Sequence, residues 1–247
     1  NDRGRKKSVS TRGRRYLLSL LLAALAGVGS AGSGQAPSKK EWADTFSVDK
    51  KDFASTGSNT YFRLEPGYRL KLEGREGLRR VTLTITVLDE TKRVDGVETR
   101  VVEERESKGG RLVEVSRNFF AFNTADRGVY YFGEEVDIYK DGKVVDHEGA
   151  WESGRDGARF GLMVPGRPAV GDRFYQEVAP GKALDRAEIV GLHETLKTPA
   201  GEFKDCLKAA ETTPLEKGGK EYKIYAPGIG LIKDGPLRLV EYGVPAK

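Results

Sequence analysis

The chain has 247 residues, with 42 Lys and Arg against 37 Asp and Glu for a formal net charge of +5, two histidines and one cysteine. A lone cysteine excludes an internal disulfide, and so few imidazoles and thiols leave a zinc centre without its usual ligands. The basic excess sits at the front: residues 1–36 hold seven Lys or Arg and one Asp, a net of +6, so residues 37–247 carry −1. A nucleic-acid binder keeps a basic face in its folded domain, and that class is excluded.

In chain order, Arg12, Arg14 and Arg15 precede a 13-residue apolar run at 16–28, and small residues follow to Ala36. This is the grammar of a secretory signal peptide, and the run is shorter than the ~20 apolar residues of a membrane span. No cysteine follows it as a lipid attachment point. The expectation is a periplasmic or extracellular protein without its first 36 residues, exported by the general route or, given the paired Arg14 and Arg15, by the twin-arginine one. Residues 37–60 read as a polar linker with one short helix around 39–46. Residues 61–247 read as one β-rich domain, and residues 37–247 together are enough to bury about 70 per cent of their surface.

Within that domain the period is two. Residues 68–73 alternate apolar with charged, and 81–87 put Val81, Leu83, Ile85 and Val87 on one face and Thr82, Thr84 and Thr86 on the other. Asp95-Gly96, Gly109-Gly110 and Asp141-Gly142 supply tight turns, because Asp and Gly tolerate the positive φ of a type I′ turn. Further strands read at 118–122, 129–132, 173–178, 187–196, 203–212, 221–233 and 237–242. About a dozen strands with almost no helical periodicity argue for an all-β domain, a sandwich or barrel.

Residues 129–177 form the hub. A two-residue loop at Asp141-Gly142 sets Tyr139 opposite Val144, Ile138 opposite Val145 and Asp137 opposite Asp146. Two opposed carboxylates call for relief, either by a hard divalent cation bound through oxygen or by solvation at the hairpin end; Asp137 and Asp146 are the metal candidates. Trp151 lies among glycines, where an indole serves as a loop plug or as a stacking platform with an orienting N–H. If the sheet encloses a cavity, Trp151, Phe160, Leu162, Met163 and Phe174 line it, with Tyr175 and Glu177 beside them as ligand-binding residues; otherwise the same side chains make a core. In the hairpin around residues 198–201, a three-residue loop with left-handed Gly201 places His193 opposite Leu207, not Cys206.

No HExxH, GxSxG, P-loop or strand-linked GxGxxG occurs, so no cofactor is expected. The leading expectation is an exported non-catalytic domain that binds a lipid-like apolar or amphipathic molecule, or an envelope protein. One alternative is a carboxylate- or metal-dependent hydrolase drawing on Asp137, Asp146, Glu152, Asp156 or Glu177. The other is a structural envelope scaffold with a broad exposed apolar patch.

TPAGEFKDCL at 198–207 and YAPGIGLI at 225–232, together with VYYFGE at 129–134, GAWE at 149–152 and GDRFYQE at 171–177, resemble exported bacterial β-rich proteins of uncharacterised function. Those carry "TPAGxF…CL" and "YAPGxGL" turns, and the likeness runs from about residue 61 to 242. It implies a single antiparallel meander forming a curved sheet or incompletely closed barrel, and it carries no reaction. Where members of that group often show Trp-Tyr-Ala, this chain has Phe119, Phe120 and Ala121.

Overall fold

The structure, a computed structural model, describes residues 40–216 and 218–245; the expected export leader lies outside them. After a short 3-10 turn at Lys50–Asp52 come β1 (Phe53–Ala54), β2 (Arg69–Glu76), β3 (Arg79–Val94), β4 (Val97–Lys108) and β5 (Arg111–Asn123). Next are β6 (Val129–Lys140), β7 (Lys143–Asp146), β8 (Trp151–Glu152), β9 (Arg159–Val164), β10 (Arg173–Tyr175) and β11 (Glu177–Val178). The chain closes with β12 (Arg186–Thr198), β13 (Gly201–Thr212), β14 (Glu221–Ala226), β15 (Gly230–Asp234) and β16 (Leu237–Gly243). Among the described residues there is no α-helix, and no helix long and apolar enough to cross a membrane.

The strands pair antiparallel in the order β10-β12-β13-β14-β15-β16-β2-β3-β4-β5-β6-β9-β11, thirteen strands nearly closed into a barrel with one unsealed seam. The expected turns hold the ladder. Asp95 and Gly96 have φ of 48° and 81°, and Asp141 and Gly142 have 51° and 76°, so each pair takes the left-handed conformation a right-twisted hairpin needs.

Residues 173–178 run along the seam. β10 pairs with β12 on one margin and β11 with β9 on the other, with Gln176 between them. The Gln176 amide donates to Glu211 on β13 at 3.0 Å. Gly161 on β9 is small for a reason: a Cβ there would stand 2.2 Å from the Gln176 carbonyl oxygen.

Alternation sorts the side chains into two layers. Inward go Leu70 and Leu72 of β2, Val81, Leu83 and Val87 of β3, Phe120 and Phe122 of β5, and Leu237 and Leu239 of β16, all buried. Outward go Val101 of β4, Phe119 and Ala121 of β5 and Tyr130 and Phe132 of β6, and these are buried too. What covers them is the segment expected to be a linker. Ala43 forms a parallel bridge with Phe174 of β10, and β1 pairs with β5 across the seam. Phe53 packs edge-on against Tyr130 and Phe132, 5.2 Å from each ring centroid. No helix forms at 40–46: half-burying Phe46 and Phe53 on a ready aromatic face stabilises an extended strap.

Two registers depart from expectation. At the β6–β7 hairpin a bulge lies between Ile138 and Tyr139, so Tyr139 faces Val144 as read but Ile138 faces Asp146. The opposed carboxylates are thereby separated. At β12–β13 the loop is only Pro199-Ala200, with Thr198 opposite Gly201, and bulges then set Glu194 opposite Cys206. His193 faces neither Leu207 nor Cys206; its ring Nδ1 lies 3.2 Å from the Asp205 carboxylate.

Candidate functional site

Trp151 occupies the junction between the barrel interior and an open cleft. β8 lies against β6, with Trp151 opposite Glu134 and Glu152 opposite Gly133. Gly133 admits that approach, since a Cβ would meet the Trp151 carbonyl oxygen at 2.4 Å. The loop after the strand is tied back by Ser153, whose hydroxyl donates to Asp95 at 2.8 Å and accepts from the Phe160 amide at 3.0 Å. The β3–β4 turn therefore holds the tryptophan loop, a role that Asp95 did not show in sequence because it reads there only as a turn residue.

The indole is 4 % exposed. Its ring meets Tyr131 edge-on at 5.4 Å, and Tyr131 stacks on Phe120 at 4.6 Å. The Tyr131 hydroxyl donates to Asn118, whose amide donates to the Val102 carbonyl and the Ser116 hydroxyl, each at 3.2 Å. This chain of contacts fixes the plane of the indole. Its Nε1–H is buried and has no hydrogen-bond partner among the described residues, an arrangement that costs about 1–3 kcal/mol unless an acceptor arrives.

The cleft over Trp151 has a volume of about 230 Å³ and is edged by Glu134, Glu152, Arg155, Pro180 and Lys182. Lys92 bridges Glu135 and Glu152, 2.6 Å from each, and lies 4.2 Å from the centroid of the Phe119 ring. Burial opposes its charge, but the hydrogen bonds to the two carboxylates outweigh that and raise its pKa. Arg155 also meets Glu152 at 3.1 Å, and Lys182 meets Asp156 at 3.0 Å. Glu135, Glu152 and Asp156 around Trp151 thus each meet a basic side chain.

The six ligand-binding candidates are divided. Trp151 belongs to the main interior cluster, Phe174 to the adjoining one, and Met163 packs against both. Phe160 instead lies outside the barrel, stacked on Phe132 at 4.9 Å beneath the strap. Tyr175 also points out, edge-on to Trp42 at 6.2 Å. The reason is alternation: Phe160 and Tyr175 are on the opposite parity of their strands from Met163 and Phe174. Glu177 is buried at the seam opposite Phe160.

The acidic candidates are also held apart. Asp137 contacts the His147 ring at 2.9 Å, and Asp146 accepts the backbone amides of His147 and Glu148 at 2.7 and 3.1 Å. Among the described residues no group of three or more His, Cys, Asp or Glu is placed to hold a metal ion. Cys206 is fully buried, and burial, then the neighbouring Asp205 and Glu194 carboxylates, push its thiol up to about 11. Such a thiol is a poor nucleophile.

No family model matches the chain, and neither a curated protein nor a solved structure is significantly similar to it.

Proposed function

We propose that this chain is an exported, non-catalytic binding domain that takes a small amphipathic molecule at Trp151. The observation that carries the reading is the buried indole N–H, without a hydrogen-bond partner among the described residues, of a tryptophan that lines an open cleft. A ligand with an apolar body and a hydrogen-bond acceptor would cover the ring and satisfy that donor. The paired rim charges favour a molecule of low net charge over a strongly ionic one. Export rests on the leader at 1–36 alone.

The test uses Trp42→Phe, which leaves Trp151 as the only tryptophan, titrated with octyl glucoside below its micelle concentration. Saturable change in Trp151 emission is expected, and Trp151→Phe, which keeps a ring but loses the N–H, should weaken binding measured by calorimetry about tenfold. Unchanged emission throughout, or equal affinity in the two proteins, defeats the proposal.

A further inference from the structure

The strap and the tryptophan loop share one carboxylate. Asp95, at the turn between β3 and β4, accepts the Lys50 ammonium of the strap on Oδ1 at 2.6 Å and the Ser153 hydroxyl of the loop on Oδ2 at 2.8 Å. Lys50 also donates to the Asp95 backbone carbonyl at 2.8 Å, so the strap grips the turn itself. On the loop side Ser153 is 3 % exposed, and its amide donates to the Phe132 carbonyl at 2.8 Å. Gly154 lies so close that a Cβ there would stand 3.1 Å from the Asp95 carboxyl carbon. A carboxylate held at both oxygens cannot swing after one partner without giving up the other, and hydrogen bonds to a charged group are roughly twice as strong as neutral ones.

Two further contacts join the same elements. The Phe53 ring of the strap meets Phe160, whose amide donates to the Ser153 hydroxyl, with ring centroids 6.0 Å apart. Asp44 of the strap meets Arg159 at 3.3 Å, where β9 takes over from the loop. The loop is therefore tied to the strap at its entry, through Ser153, and at its exit, through Arg159 and Phe160. The strap's own pairing to the sheet is slight: two residues at β1 and a single bridge at Ala43. Segments with so few backbone pairings open locally, at a free energy below that of global unfolding.

We infer that the strap is a latch for the Trp151 cleft: docked, it fixes Asp95 and so seats Ser153 and the tryptophan loop, and when it lifts that loop loosens with it. Asp95 is the positioning residue of the device and acts through Ser153. Coupling of this kind is reciprocal, so a molecule that fills the cleft also tightens the strap. That last consequence rests on the binding reading at Trp151; the linkage between strap and loop does not.

The experiment is hydrogen–deuterium exchange of the purified protein, read by mass spectrometry over residues 43–54 and 151–160, with 186–212 in β12 and β13 as the reference. Lys50→Met alters the strap alone, and it should speed exchange about fivefold in 151–160 as well as in 43–54. Ser153→Ala alters the loop alone and should speed exchange in 43–54. Lys50→Arg should keep rates near those of the wild type. Asp95→Asn should reproduce both effects, and Lys50→Met added to it should change neither segment further. Octyl glucoside should slow exchange over 43–54 in the wild type and not in Asp95→Asn. The inference is overturned if Lys50→Met or Ser153→Ala leaves the opposite segment unchanged, or if exchange over 186–212 rises in step. Should octyl glucoside fail to bind, the reading at Trp151 falls, while exchange in the variants still decides the latch.

Discussion

Glu221 shows how one half-buried carboxyl ties stability to pH. Its pKa in the fold, about 7, lies above the ordinary 4.5 because burial and the Asp234 carboxylate disfavour its charge. The folded state therefore holds this proton more tightly than the unfolded chain. Its contribution is greatest below the ordinary value and is lost as pH rises through 7. Relative to Glu221→Gln, the wild type should gain about 1–2 kcal/mol between pH 8 and pH 5, after allowance for solvent screening. Urea unfolding of both proteins across that range is the check; parallel curves would refute it. No sequence pattern announces this residue, because Glu221 opens a strand of alternating polar and apolar side chains like many others. Its strand neighbour Lys223 opposes the shift; the carboxylates that raise it, Asp234 and Glu211, arrive from adjacent strands.

The elements were legible to the extent that they depend on near neighbours. Each Asp-Gly or Gly-Gly pair read as a turn is one, because backbone sterics act within two residues. The Val81 to Val87 alternation likewise marks the two faces of β3. Bulges were not legible. Those between Ile138 and Tyr139 and along β12–β13 shift partners between strands, and nothing local in either strand specifies them. Each alters which side chains meet, which is why Asp137 and Asp146 did not come together. The strap escaped reading for a related reason: residues 43–54 have no period of their own and take their conformation from the aromatic face they cover. Phe53→Ala should accordingly destabilise the protein by about 2–4 kcal/mol and raise binding of a hydrophobic dye, since the ring leaves a gap over Tyr130, Phe132 and Phe160. A thermal melt with dye fluorescence measures both; an unchanged melt would mean that the strap rests on the sheet without holding it.

For the molecule as a whole, an all-β sandwich or barrel was foreseeable from strand number and spacing and its incomplete closure only from the resemblance, whereas the gradient from an apolar interior to an acidic end lined by Glu104, Glu106, Glu221 and Asp234 was not foreseeable. That gradient needs the register of many strands at once. The same is true of the seam, where β10 has three residues and β11 two, against sixteen in β3. Amide exchange should be fastest, among strands, over residues 159–164 and 173–178. Gly161→Ala should accelerate it there selectively, because the added methyl meets the Gln176 carbonyl. Uniform protection across all strands would contradict this.

The bridge from Ala43 to Phe174 adds a final point. The strap grips one margin at Ala43 and the far wall at Phe53 and Ala54, like a buckle drawn over a split hoop. Cutting the chain just after Ala54 would leave every long ladder intact yet release the clasp, so the girth of the barrel depends on a stretch that belongs to none of its thirteen staves.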